Sequence, residues 1–89
     1  MSNNYELPEN MTIKEVVQIK ENFQQLLSSY SEKNLVVDGN NVQEIDASGV
    51  QLILSLYKSI LSRNIEFELV NPSDKLKWAL EVSGAHEII

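Results

Sequence analysis

The segment 35–63 constrains the fold more than any other part of this 89-residue chain. Residues 35–37, Leu-Val-Val, are apolar and mostly β-branched, which is typical of a buried strand, and residues 38–41 are typical of a turn. Large apolar residues then recur at helical spacing: Val50, Ile53, Leu54, Tyr57 and Leu61. The pattern predicts a strand, a turn and then a helix over 48–63.

Two residues at the start of this helix, Asp46 and Ser48, are both of types that cap helix N-termini. Ser48 with Gln51 three residues later also matches a capping box. One interpretation of Ser48 is an ordinary cap that contributes about 1 kcal/mol to the helix. The other is a phosphorylation site. A phosphate there would add a charge of roughly −1.5 to −2, which the helix terminus tolerates but a docked partner does not. Asp46 beside it would add repulsion.

Strands and helices alternate along the rest of the chain. A short strand ends near Pro8, and 11–13 is either a second strand or a turn in which Thr12 and Glu15 cap the next helix. That helix is predicted to end near Ser31 and has one apolar stripe, formed by Val16, Ile19, Phe23, Leu26, Leu27 and Tyr30. A strand over 65–70 and a last helix from Ser73 to Gly84 follow.

This order predicts a single α/β domain over 1–89. Its expected architecture is a small mixed sheet of about four strands with three to four helices, in which the later strands are parallel. The apolar residues of the central helix spread over roughly 200° of arc, wider than the stripe of about 100° that covers one sheet face. Either a neighbouring helix or a partner protein must cover the remainder.

Trp78 and Val82 lie one turn apart on the last helix, away from its buried stripe. Two interpretations are open. The pair packs against the C-terminal residues Ile88 and Ile89, or it is an anchor for a protein interface.

Charge and composition exclude several classes of partner. The net charge of −6 argues against nonspecific binding to nucleic acid or to an anionic membrane surface, since both need clustered Lys and Arg. The absence of cysteine removes disulfides, thiol catalysis and cysteine metal sites. Residues 1–12 carry no signal-peptide pattern and no apolar run is long enough to span a membrane, so a cytoplasmic domain is expected.

The sequence offers no set of residues for catalysis. His86, the one histidine, has no Cys or second His with which to form a metal site, and a surface position is expected for it. Asp38, Glu44 and Asp46 surround one loop, but acidic loop residues are usually solvated or cap helices. Gly39 and Gly49 do not form a phosphate-binding glycine motif. We therefore predict no enzyme activity, no cofactor and no metal.

Three short motifs together resemble a STAS domain, the family named after sulphate transporters and anti-sigma factor antagonists. They are Leu-Val-Val-Asp at 35–38, Ile-Asp-Ala-Ser-Gly-Val-Gln-Leu at 45–52, and Phe-Glu-Leu-Val-Asn-Pro at 67–72. The resemblance covers nearly the whole chain and implies a small sheet flanked by helices. In anti-sigma factor antagonists that are phosphorylated, the serine or threonine before the glycine of the second motif is modified by a partner kinase that also binds the sigma factor. Ser48 matches that position.

The resemblance leaves the function open between alternatives. Phosphorylated antagonists usually carry an Asp in the turn after the second strand, where this chain has Thr12. In that respect the chain resembles the compact STAS subunits of lipid-transport ATP-binding cassette (ABC) systems, although these often have Thr where Ala47 stands. A STAS module in a chemotaxis or other signalling assembly is a third alternative.

The main hypothesis is a noncatalytic, protein-binding regulatory module like an anti-sigma factor antagonist, switched by phosphorylation of Ser48. Its partner would be a serine kinase acting as anti-sigma factor, or, in the transporter alternative, an ABC transporter ATPase. The predicted partner-binding residues are Asp46, Ala47, Ser48, Gly49, Gln51, Asn40, Thr12 and Trp78.

Overall fold

A computed structural model describes residues 3–85. The elements are, in chain order, β1 (Asn4–Glu6), β2 (Asn10–Met11), α1 (Val16–Ser28), β3 (Asn34–Asp38), β4 (Glu44–Ile45), α2 (Ala47–Ser62), β5 (Glu66–Val70) and α3 (Asp74–Val82). They confirm the predicted α/β class. None of the helices in this part of the chain is long and apolar enough to cross a membrane.

The strands form two small parallel sheets. One has the order β1-β3-β5, and the other consists of β2 and β4 alone. The structure has five strands in two sheets where the sequence predicted about four in one mixed sheet, and the strand pairs are parallel, as predicted for the later strands. The reason is that α1 lies between β1 and β3 and α2 lies between β3 and β5, and such helical crossovers join parallel strands.

Helices α1 and α2 pack against each other, and α2 also contacts β5. This contact accounts for the wide apolar arc of α2, because a neighbouring helix of the same domain covers part of it. Phe23 of α1 and Ile60 of α2 are fully buried in the resulting core. Leu61, on the same arc, remains exposed.

The C-terminal boundary of α1 differs from the predicted one. The helix ends at Ser28 rather than near Ser31, and the Tyr30 side chain packs against the core from the turn that follows. At the other end, both alternatives for residues 11–13 hold in part. Met11 pairs with Ile45 as a strand residue, while Thr12 and Glu15 bond to each other in the turn before α1.

Helix α3 begins and ends as predicted. The Ser73 hydroxyl accepts a hydrogen bond from the Leu76 N–H, and Gly84 follows the C-cap with a φ of 76°, a conformation that glycine adopts readily. Trp78 and Val82 are 56% and 64% exposed. The predicted contact of Trp78 with Ile88 and Ile89, and the position of His86, fall outside the described residues.

Candidate functional site

Asp46 holds the start of α2. One carboxylate oxygen, Oδ1, accepts a hydrogen bond of 3.1 Å from the Gly49 N–H, which makes Asp46 the N-cap of the helix. The predicted capping box of Ser48 and Gln51 is therefore wrong. Both Asp46 and Ser48 have the chemistry of a cap, but α2 begins at Ala47, which makes Ser48 the second residue of the helix.

The other carboxylate oxygen of Asp46 reaches a distant part of the chain. Oδ2 accepts a hydrogen bond of 3.0 Å from the N–H of Ile13, in the turn that precedes α1. One side chain thus joins the beginnings of α1 and α2. The Ile13 N–H, followed by that of Gly49, lowers the pKa of Asp46 below its ordinary value, because hydrogen bonds to the carboxylate stabilise its charged form.

We expect Asp46→Asn to destabilise the domain in a pH-dependent way. An asparagine can still cap α2, but it cannot accept from both backbone groups, so the urea midpoint should fall at pH 7. Because the native pKa is depressed, the carboxylate stabilises the domain above its unfolded pKa of about 3.8, and this contribution is lost as pH falls through the lower native value.

The measurement is urea unfolding of the wild type and of Asp46→Asn at pH 7 and near pH 3. The difference between the urea midpoints of the wild type and of Asp46→Asn should be smaller near pH 3 than at pH 7. Asp74→Asn, at the exposed first turn of α3, controls for the loss of one negative charge. A gap of equal size at both pH values would contradict the assigned role of the carboxylate.

The turn that Asp46 holds is itself well ordered by hydrogen bonds. Glu15 Oε1 accepts from the Thr12 hydroxyl at 2.7 Å and from the Thr12 N–H at 2.9 Å. The side-chain bond from Thr12, followed by the backbone bond, lowers the pKa of Glu15. The Thr12 carbonyl in turn accepts from the N–H groups of Glu15 and Val16. Thr12 is therefore occupied in shaping the start of α1.

A shallow groove runs between α1 and α2 beside Ser48. Its volume is about 250 Å³. We call it the α1–α2 groove, and the residues that line it are Val16, Val17, Lys20, Ser48, Gln51, Leu52 and Ser55. Ser48 is half-buried on its wall, and its hydroxyl makes no hydrogen bond with residues 3–85. The hydroxyl that the sequence singled out is thus neither a cap nor sealed in the core.

Gly49 is needed for the approach of α2 to β2. A Cβ atom built on Gly49 would lie 2.1 Å from the carbonyl oxygen of Met11 and 2.7 Å from Cγ1 of Ile45. Gly49 is buried, so the predicted role in partner binding cannot come from its own surface. Its role is to let the helix start lie directly against the β2–β4 pair.

The structure adds two residues that the sequence analysis missed. Ile13, in the turn before α1, and Val17, on α1, are 66% and 68% exposed. We call them the aliphatic pair. Val17 lines the α1–α2 groove, whereas Ile13 lines the neighbouring hollow with Glu15 and Asp46. The sequence carried no signal for this pair, because the buried stripe of α1 could be explained without either residue.

The remaining predicted site residues are divided between two regions. Ala47 and Gln51 are exposed on α2 near Ser48, and Gln51 lines the groove. Asn40 lies in the turn after β3, where its N–H donates to Asp38 Oδ1. Trp78 lies on α3, where the Lys75 ammonium sits 5.1 Å from its ring centroid. Asn40 and Trp78 are not on the walls of the groove.

Metal binding finds no support in residues 3–85. No group of three or more His, Asp or Glu side chains in that range is arranged to hold an ion. Glu15, Glu44 and Asp46 line one open hollow, but Glu15 and Asp46 already accept hydrogen bonds from the turn before α1. The groove itself offers an apolar contact surface with two accessible hydroxyls, those of Ser48 and Ser55.

Comparison with known proteins places this geometry in a family. None of the curated proteins compared with the chain matches it significantly. A solved structure of similar fold is the crystal structure of a sulfate transporter family protein from Wolinella succinogenes, with a TM-score of 0.74 and 23% identity over 94% of this chain and 67% of that one. The model of the STAS domain matches residues 4–89. The chain therefore belongs to the STAS domain family, whose members are protein-interaction and regulatory modules and are generally noncatalytic.

Proposed function

We propose that this STAS domain is a noncatalytic, cytoplasmic regulatory module of the anti-sigma factor antagonist type. Its partner, a serine kinase that acts as an anti-sigma factor, binds across the α1–α2 groove, and phosphorylation of Ser48 turns the binding off. The observation that carries the proposal is the half-buried Ser48 hydroxyl on the wall of an apolar groove. A hydroxyl there is compatible with a docked protein, whereas a phosphate is not.

Phosphorylation would change this surface through charge. The kinase transfers the terminal phosphoryl group of ATP to the Ser48 oxygen, the hydroxyl proton is lost and ADP leaves. The product carries roughly −1.5 to −2 charge. In the groove this charge faces the aliphatic side chains of Val16 and Leu52, and Asp46 lies two residues away. Desolvation of the phosphate and its repulsion of acidic groups would both oppose docking.

A second candidate function is a structural subunit of an ABC-type lipid transporter, in which the same surface contacts the ATPase permanently. The exposed aliphatic pair beside the groove favours it, because an apolar surface of this kind suits an interface that stays closed. Thr12, in place of the aspartate of phosphorylated antagonists, also favours it. In this function Ser48 stays unmodified.

Ser48→Asp and Ser48→Ala separate the two functions. The tagged domain and both variants are expressed in the source cells and captured with their bound proteins. The mass of each captured domain is then measured by intact-protein mass spectrometry. Under the first function, the wild type captures a kinase and a fraction of it is 80 Da heavier, as one phosphoryl group requires. Ser48→Asp loses the partner and Ser48→Ala retains it.

The second function predicts a different set of results. An ATP-binding cassette protein co-purifies with the wild type, no heavier fraction is present, and Ser48→Ala retains the partner. Capture of the same kinase in equal amounts by Ser48→Asp and Ser48→Ala would rule out a charge switch at this position.

A further inference from the structure

The two hydrogen bonds of Asp46 connect the modification site to the aliphatic pair. Its Oδ1 bonds the Gly49 N–H next to Ser48, and its Oδ2 bonds the Ile13 N–H at the start of the aliphatic pair. Ile13 and Asp46 are 33 residues apart in the chain. A change at the start of α2 therefore has a direct route to the turn before α1.

We propose that Asp46 couples the phosphorylation state of Ser48 to the position of the aliphatic pair. A phosphate on Ser48 displaces the Asp46 carboxylate from the Ile13 N–H and releases the turn that carries Ile13. The proposal rests on the proposed function and adds a mechanism to it: the phosphate repels the partner, and it also removes part of the surface to which the partner binds.

The displacement follows from competition at one helix end. The backbone N–H groups in the first turn of α2 favour an anion, and Asp46 supplies that anion while Ser48 is unmodified. A phosphate at Ser48 brings more charge and three acceptor oxygens to the same turn. Asp46 is exposed, so water can solvate its carboxylate once it has left the backbone.

The rest of the turn is held independently of Asp46. The bonds between Thr12 and Glu15 lie within the turn and keep its shape, whereas the Asp46 bond ties the turn to α2. Ile13 is 66% exposed, so side-chain packing contributes little to its position. Loss of the Asp46 bond should therefore let the turn shift as a unit.

Amide hydrogen exchange at Ile13 tests the coupling without any partner. The full chain is produced with phosphoserine incorporated at position 48 during translation, and exchange is followed by NMR. We expect the Ile13 amide to exchange on the order of tenfold faster than in the unmodified chain, as for the loss of one charge-assisted hydrogen bond. Asp46→Asn should produce a similar acceleration with Ser48 unmodified.

Phosphoserine at position 55 is the matched control. Ser55 also lies on α2 and lines the same groove, but it is two turns away from Asp46. It should leave exchange at Ile13 unchanged. The amide of the buried Leu35 in β3 reports global unfolding in each form, so an acceleration at Ile13 that exceeds any acceleration at Leu35 measures local release.

Two results would overturn the coupling. One is an Ile13 amide that stays protected in the chain with phosphoserine at position 48, as it would if Lys20 across the groove neutralised the phosphate. The other is an unchanged rate in Asp46→Asn. The proposed function fails separately: if the phosphorylated chain still captures its kinase partner, Ser48 is not the switch, whatever the rate at Ile13.

Discussion

Replacement of Gly49 by alanine should destabilise the domain by about 3 kcal/mol, toward the upper end of what overpacking costs. The added Cβ would lie 2.1 Å from the Met11 carbonyl oxygen, a backbone atom of β2 that no change of rotamer can move. Relief requires α2 and the β2–β4 pair to separate. This would also strain the 3.4 Å hydrogen bond from the Asp46 N–H to the same oxygen.

The predicted destabilisation by Gly49→Ala is opposite in sign to the effect expected from helix propensity. Within a helix, glycine to alanine ordinarily stabilises by about 1 kcal/mol, so propensity alone predicts the opposite result. Urea unfolding at pH 7 measures the difference. Gly84→Ala is the matched control, since nothing lies within 4 Å of its added Cβ and only its φ of 76° opposes the change, at a cost of roughly 1–2 kcal/mol. A stabilised Gly49→Ala would show that α2 does not lie against Met11.

Replacement of Val17 by aspartate should abolish capture of the partner, with a loss of affinity of about 30-fold or more, as for an interface hot spot. Val17 belongs both to the aliphatic pair and to the wall of the groove, so the change places a charge where the two surfaces meet. Val17 is 68% exposed, so the domain itself should fold normally. Capture of the partner by the tagged domain, followed by titration of the purified complex, measures the effect.

Val82→Asp is the control for the Val17 variant. Val82 is also a helical valine of similar exposure, 64%, but it lies on α3 beside Trp78. If the partner binds at the groove, Val82→Asp and Trp78→Ala should capture it normally. The reverse pattern, with binding lost in the α3 variants and kept in Val17→Asp, would move the interface to Trp78 and contradict the proposed surface.

The main sheet and the helices could be predicted because their patterns are local. The alternation in β5 and the helical spacing in α2 reflect the sides of each element that face the core. Strands β2 and β4 have two residues each, too few to show any period, and they exist through their pairing with each other. Such a pairing between distant residues has no signature in either segment alone.

The candidate site was predicted in position but not in detail. The sequence located the start of α2, since capping residues and a helical period mark it. It could not choose between Asp46 and Ser48 as the cap, because both have capping chemistry, and it could not reveal the second hydrogen bond of Asp46, which comes from Ile13, 33 residues away. The exposure of Val17 also depends on tertiary structure, since it follows from which face of α1 packs against the rest of the domain.

The outer strands of the β1-β3-β5 sheet have a consequence for self-association. Within residues 3–85, β1 and β5 are the two outer strands of this sheet, so a strand of another molecule would have to join the sheet along one of them. Glu6 on β1 and Glu66 and Glu68 on β5 are exposed there. Pairing the outer strands of two molecules would bring these glutamate carboxylates close to one another. At neutral pH their repulsion opposes aggregation by edge-strand pairing.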